Sequence, residues 1–255
     1  MNDSTAALCE LLAWDTDFFG CRIARVLGDT LHKNQGRLID DWCRNNRVHG
    51  LYFLARADDP ATIQAAEQAG FELTDIRVTF DHPISDSNSP THFFHPDSNG
   101  TVIRPVQPQD LPHLQALARL NHNETRFFND PHFPRHRAAE LYSNWITQEV
   151  LGRAEMCFVA ASEINQPQGY ISCHLNPPEK QGQIGLIGVD LEVRGRGIGK
   201  RLVQAALNWY RDHAAQNVMV ITQGKNLSAQ RLYQKCGFLT QNLQIWYHKW
   251  YNTTD

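Results

Sequence analysis

The chain has 255 residues, 42% hydrophobic and 20% charged, with 24 Lys and Arg against 27 Asp and Glu for a formal net charge of −3. This is globular composition, which excludes a disordered chain. The near-neutral balance also excludes a generally basic, nucleic-acid-binding surface. At about 150 residues per domain, the length falls between one domain and two.

No stretch approaches the roughly 18 apolar residues of a membrane span. The opening MNDSTAALCELLAWD lacks the basic start and apolar run of a signal peptide. Cys9, Cys21, Cys43, Cys157, Cys173 and Cys236 are scattered singly with no CxxC pair, the usage of reduced, buried thiols in a cytoplasmic protein. Twelve histidines occur without HExxH or HxH, so no metal site is expected.

In chain order, the segment after Gly36 reads as a helix (RLIDDWCRN), a strand (LYFLA), a loop and a helix (ATIQAAEQ). Gly70-Phe71 and a strand (DIRVTFDH) follow. The stretch DHPISDSNSPTHFFHPDSNG is rich in Pro, Ser, Asn, Asp and Gly and reads as a linker. Beyond it come a strand at TVIRPV, a helix opening near Asp110 with Pro112 in its first turn, and a less regular NHNETRFFNDPHFP. An amphipathic helix is expected around Arg137–Val150. MCFVAASE and GYISCHL form strands about a turn at Asn165–Gln168. QIGLIGVDL leads into RGRGIG and the helix KRLVQAALNWYRDHA. VMVITQ (strand), SAQRLYQKC (helix) and LQIWYHKW (strand) close the chain.

The order helix, strand, loop, helix, Gly-Phe, strand thus occurs twice, after Gly36 and after Gly199. Aligning Gly70-Phe71 with Gly237-Phe238 places Val78-Thr79-Phe80 over Ile245-Trp246-Tyr247. Two related α/β units are expected: a truncated one at 1–84, a linker at 85–100 and a complete one at 101–255. Chemistry is expected in the second, because the first lacks its glycine motif and has Ala66 where the second has Tyr233.

The segment Arg194-Gly195-Arg196-Gly197-Ile198-Gly199 joins an apolar strand to a helix. Glycines let the backbone approach a ligand closely, and free amides at a helix start, with the dipole, suit a phosphate or pyrophosphate. Arg194, Arg196, Lys200 and Arg201 add positive charge there. The alternative is a glycine-rich turn that binds nothing. A dinucleotide fold is disfavoured, since the motif is not GxGxxG and follows a hairpin series.

Val189, RxxGxG, a strand, Asn226, Tyr233 and Gly237-Phe238, in that order over roughly 101–250, resemble the GNAT acetyltransferase superfamily. The resemblance implies an α/β (α+β type) fold, with a mixed, mostly antiparallel sheet flanked by helices and preceded here by a truncated GNAT-like half-domain. It also implies acetyl-CoA as co-substrate. The backbone of Ile187 and Val189, on a strand splayed from its neighbour, would meet the acetyl and pantetheine groups. The amides of Arg196–Gly199 would hold the pyrophosphate, with Arg194, Gly195 and Lys200 beside it. Asn226 would bond the pantetheine arm and Tyr233 would protonate the departing thiolate. The other reading of Tyr233 is a helix tyrosine packed on the sheet.

Trp14-Asp15-Thr16-Asp17-Phe18-Phe19-Gly20, Arg126-Phe127 and Trp145 look like the nucleotide-sugar N-acetyltransferases of that superfamily, which act on a dTDP-linked 4-amino-4,6-dideoxy sugar. This resemblance implies a small-molecule acceptor and an acidic general base at Asp75. Arg126 would sit on the diphosphate, and Phe18 and Phe127 would line the acceptor pocket. The bland alternatives are a strand-edge Asp, a loop arginine and core aromatics, Phe19 and Phe128 included. His122, Glu124 and His132 are further acceptor-side candidates. A GNAT enzyme acting on another amine (a peptide N-terminus, a polyamine or an antibiotic) and a non-catalytic acyl-CoA-binding module are the other readings. Nucleic acid and membrane insertion are not expected as partners, and tandem units of this kind are compatible with a homodimer.

Overall fold

A computed structural model describes residues 8–85, 96–98 and 100–251. The N-terminal half runs β1 (Cys9–Leu11), α1 (Ala13–Phe19), β2 (Ile23–Val26), α2 (Gln35–Asn45), β3 (Gly50–Arg56), α3 (Pro60–Gln68) and β4 (Glu72–Pro83). Then follow β5 (Val102–Pro105), α4 (Leu111–Asn121), α5 (Arg126–Asn129), α6 (Arg135–Gln148), β6 (Met156–Ala161), β7 (Pro167–Asn176) and β8 (Gln181–Val189). The last elements are α7 (Ile198–Asp212), β9 (Asn217–Gln223), α8 (Leu227–Lys235) and β10 (Leu239–Trp250). The linker expected at 85–100 lies for the most part outside the described residues.

The elements β1, α1, β2 and α5 were not anticipated. Each is three to seven residues long, too short for a hydrophobic period to register. α1 buries no residue and has no side-chain cap. It stops at Gly20, whose φ of 70° closes the turn in the left-handed region. α6 passes into a wide turn at Glu149–Arg153 containing Gly152 at φ 109°.

Among the described residues, ten strands form one mixed sheet in the order β1-β2-β3-β10-β4-β9-β8-β7-β6-β5, in which only β2 with β3 and β8 with β9 run parallel. The C-terminal strand β10 is inserted between β3 and β4, so the two sequence units share one hydrogen-bonded core. The shift that carries Gly70 onto Gly237 also carries Arg77 onto Gln244, and these two residues pair across the central β4–β10 ladder. It likewise carries the pair Gln244↔Arg56 onto Arg77↔Gln223, and Ile245↔Ala55 onto Val78↔Thr222. The repeat is therefore a pseudo-two-fold axis through Arg77 and Gln244, with β4 and β10 exchanged between the units.

One core packs α7 and α8 on the sheet through Leu202, Tyr210, Phe80 and Phe238. A second lies under α2 and α3. A third packs α4–α6 and α1 against strands of both units, through Tyr52, Leu141, Phe133 and Tyr170. Each fully buried side chain of this size stabilises the fold by about 1.5–3 kcal/mol. Among the described residues, no helix is long and apolar enough to cross a membrane, and no group of three His, Cys, Asp or Glu could hold a metal.

Candidate active site

The site begins where β8 leaves β9. The two pair from Gln181↔Asn217 to Ile184↔Val220 and no further. Beyond that point β9 stays with β4 up to Gln223↔Arg77, while β8 stays with β7 up to Val189↔Gly169. A wedge opens between them. The divergence starts at a bulge, where Gly185 and Leu186 together oppose Ser172. The Leu186 amide donates to Ser172 Oγ at 2.8 Å, and a Cβ on Gly185 would lie 2.7 Å from that oxygen. Only glycine fits there.

Past the bulge, the Asp190 amide bonds the Gln168 carbonyl. Antiparallel pairing alternates, so the N–H and C=O of Val189 point away from β7 and into the wedge. Arg194 Nε occupies that carbonyl at 3.2 Å, which leaves the Val189 amide as the donor facing the opening. Ile187 lies on the same edge.

At the wedge mouth, α7 starts from Gly197 at φ 82°, with no side-chain cap. The first-turn amides of Ile198, Gly199 and Lys200 have no intrahelical acceptor. Gly195 and Arg196 are exposed, as is Lys200. Ile198 is 2% exposed and offers only its backbone. Two of the four basic side chains are committed elsewhere. Arg201 is paired with Asp97 at 2.6 Å and donates to the Thr101 carbonyl, and Arg194 is turned back onto Val189 and Asn121. Arg196 and Lys200 remain.

On the opposite wall, Asn226 caps α8 by accepting from the Ala229 amide at 3.0 Å, so its NH2 group is the part left to donate. Tyr233 is 2% exposed, between Phe80 and Phe238 at centroid distances of 5.9 and 5.8 Å. Burial pushes its phenol well above the ordinary value, so it carries a proton at neutral pH.

Asp75 lies on β4 beyond its last pair with β9 and is 5% exposed. Burial pushes its carboxyl up to about 6, a rise partly offset by the Ile76 amide at 2.8 Å, Lys225 and Arg126. Nearby, Asn129 ties Lys225 to the Thr74 carbonyl. Arg126 is not a free loop arginine: its guanidinium packs on three rings and bonds His248.

From Asp75, which acts electrostatically on Tyr142, contacts run towards β8. His122 stacks on Tyr142 at 4.5 Å and bonds the Tyr170 hydroxyl at 2.9 Å, and Tyr170 pairs with Gly188. Burial pushes His122 down to about 4, so it is neutral. Phe127 is 3% exposed and, with Phe19, belongs to the core. Phe18 lines a cavity of about 1050 Å3 with Trp14, Arg137, Trp145 and Leu186. Glu124 is exposed, and His132 stacks on Trp250 at 4.5 Å. Tyr142, Tyr170, Asp130 and His248 had not been singled out. The one sequence signal was His248 between Trp246 and Trp250 on one face of a strand.

The strand bulge, the splayed parallel pair and the uncapped glycine helix start are the arrangement that the resemblance to the acetyltransferase superfamily implies. Residues 116–238 match the model of the acetyltransferase (GNAT) family. The chain is 26% identical over 247 residues to dTDP-fucosamine acetyltransferase of Escherichia coli O6:H1, covering 95% of this chain and 98% of that one. A GCN5-related N-acetyltransferase from Sphaerobacter thermophilus superposes with a TM-score of 0.65 at 17% identity, covering 95% of this chain and 76% of its own. A tandem GNAT protein from the clavulanic acid biosynthesis pathway superposes with a TM-score of 0.60 at 17% identity, covering 92% and 77%. The chain carries a GNAT-family acetyltransferase domain and is an acetyl-CoA-dependent N-acetyltransferase.

Proposed function

We propose that the acceptor is the amino group of a nucleotide-linked amino-deoxy sugar, acetylated by direct attack in a ternary complex. The observation that carries this reading is a buried carboxyl raised to about 6, Asp75, within electrostatic reach of the Arg126 guanidinium, whose hydrogen bond goes to His248 and not to a carboxylate among the described residues. One group suits an amine that must lose a proton, the other an anion on the same molecule. The likeness to dTDP-fucosamine acetyltransferase over 95% of the chain supports the same reading.

Acetyl-CoA, when bound, supplies the thioester. In this reading the amides of Arg196–Gly199, with Gly195 and the Arg196 and Lys200 side chains, hold its pyrophosphate, while Arg194 braces the Val189 carbonyl instead. The Asn226 amide group and the Ile187 backbone align the pantetheine arm. The Val189 amide donates to the developing oxyanion. Asp75 removes the ammonium proton directly or through water, and Tyr233 protonates the leaving thiolate. Phe18 contributes to the acceptor pocket, and Phe127 acts through Arg126, which lies on its ring. In the same proposal, residues 101–255 form the coenzyme side, and 1–84 supply β4 and the acceptor-side wall.

Thiol release from acetyl-CoA with dTDP- and UDP-linked amino sugars, beside polyamines and peptide N-termini, tests the assignment. A nucleotide-linked amino sugar is expected to give the highest kcat/KM. Preference for a polyamine or peptide over every nucleotide sugar would refute it.

A further inference from the structure

The Arg126 guanidinium carbon lies 4.2 Å from the ring centroids of Tyr52, Phe127 and Trp246. The rings come from β3, α5 and β10, and meet only because β10 is inserted between β3 and β4. A cation so enclosed is held by the ring faces, but rings do not fix its rotation. A hydrogen bond does: Arg126 Nη1 to His248 Nε2 at 3.0 Å.

The direction of that bond is determined. Guanidinium has five N–H donors and no acceptor, so His248 Nε2 accepts and the imidazole proton sits on Nδ1. There it donates to Asp130 Oδ2 at 2.6 Å. Both residues are buried, His248 at 1% and Asp130 at 3–4% exposure. Asp130 is fully engaged, with Trp250 Nε1 donating to it at 2.8 Å, the amide of His132 at 2.9 Å and the His132 ring Nδ1 lying 2.8 Å away. Burial pushes His248 down to about 4, with Arg126 adding to the effect and Asp130 opposing it. For Asp130 burial acts upward, but its hydrogen bonds outweigh it and hold the carboxyl well below its ordinary range. The imidazole is therefore neutral.

A carboxylate placed directly on Arg126 would fix it but cancel its charge. A neutral imidazole fixes one nitrogen and leaves the charge, with the remaining N–H donors, for a ligand. We propose that Asp130 and His248 are positioning residues that hold Arg126 as the anion-binding group for the phosphate-bearing part of the acceptor, an inference that rests on the acceptor reading above. The Arg126 backbone bonds the Asp75 carboxyl, and the guanidinium acts on its charge. A single acceptor would thus present its amine to one group and its phosphate to the other.

The test is titration calorimetry of dTDP into enzyme saturated with coenzyme A, so that the α7 pyrophosphate site is filled. His248→Phe removes the acceptor nitrogen, and His248→Gln restores an acceptor oxygen. The dTDP Kd is expected to rise at least tenfold in His248→Phe and to recover to within about threefold in His248→Gln, with acetyl-CoA affinity unchanged. With dTDP-linked amino sugar, KM rather than kcat is expected to carry the loss, and the preference over the same sugar without phosphate is expected to collapse. Equal dTDP affinity in wild type and both variants overturns the positioning role. Failure of the wild type to bind dTDP or UDP overturns the acceptor reading itself. If His248→Phe does not fold, nitrogen NMR of the wild type decides. A neutral, Nδ1-protonated His248 across pH 5–8 is expected, and titration within that range overturns the proposal.

Discussion

Asp75→Asn separates what the carboxylate contributes to chemistry from what its burial costs the fold. Asparagine keeps an oxygen to accept from the Ile76 amide at 2.8 Å but carries no charge. Burial raises the native carboxyl from 3.8 to about 6, a displacement of roughly two pH units or about 3 kcal/mol. Because the native value lies above the unfolded one, the folded chain binds the proton more tightly. The contribution of Asp75 to stability is therefore greatest below pH 4, falls as pH rises through 4 to 6, and stays lowered above. Asp75→Asn is expected to be more stable than wild type at pH 8 by up to about 3 kcal/mol, or roughly 6–12 °C in Tm for a chain of this size. At pH 4.5 the gain shrinks to about 1 kcal/mol.

Turnover is expected to fall by about 10²–10⁴, the usual contribution of a general base, and the wild-type kcat/KM limb near pH 6 should disappear. Calorimetric melting at the two pH values and thiol release from acetyl-CoA measure both effects. A Tm difference independent of pH, or a kcat within threefold of wild type, would refute the reasoning.

Tyr233→Phe is expected to lose most turnover while acetyl-CoA affinity and Tm hold, and unchanged turnover removes Tyr233 from the mechanism. Gly197→Val forces a branched side chain to φ 82° at the start of α7. It should cost about 1–2 kcal/mol and weaken acetyl-CoA binding in calorimetry; undiminished affinity argues against the amide cradle. His174 is raised by its bond to buried Glu149 at 2.7 Å. Its stabilisation is present below about pH 6.5 and lost as pH rises through the higher folded value. His174→Gln should therefore cost about 1 kcal/mol at pH 6 and less at pH 9 in urea unfolding; a constant difference contradicts the charge argument. A fragment of residues 101–255 leaves β9 and β10 without β4. It is expected to aggregate alone and to recover acetyl-CoA binding when 1–85 is co-expressed; a monomeric, cooperatively folded fragment rejects that.

What was legible in the sequence was local. RGRGIG between a strand and a helix, each Gly-Phe pair, and Asn226 seven residues before Tyr233 declare themselves within short stretches of chain. The surroundings of Arg126 were not legible. Tyr52, Trp246 and His248 reach it from strands far away in sequence, through an exchange that no hydrophobic period encodes. The charge at α7 was over-read for the same reason, since the partner of Arg201, Asp97, sits in the expected linker. Asp75 could be placed on a strand, but its near-neutral carboxyl depends on burial by the other unit.

The pseudo-two-fold axis also sets the start of α7 beside its counterpart in the N-terminal unit. The shift that maps Arg77 onto Gln244 maps Asp59 onto Asn226, and both cap their helices by accepting a backbone amide. It maps Leu31 onto Ile198 and Thr62 onto Ala229. In the N-terminal unit Thr62 Oγ1 accepts from the Leu31 amide at 2.9 Å and donates to Asp59 at 2.7 Å. The helix there starts later, at Gln35. In the C-terminal unit Ala229 has no hydroxyl, so the Ile198 amide stays open at the head of α7. Asp75 maps onto Asn242, which is exposed, and Tyr233 onto Ala66. One unit has closed its amide on Thr62 and lends strand β4 with Asp75, while the other leaves the Ile198 amide open, as the proposed pyrophosphate site requires.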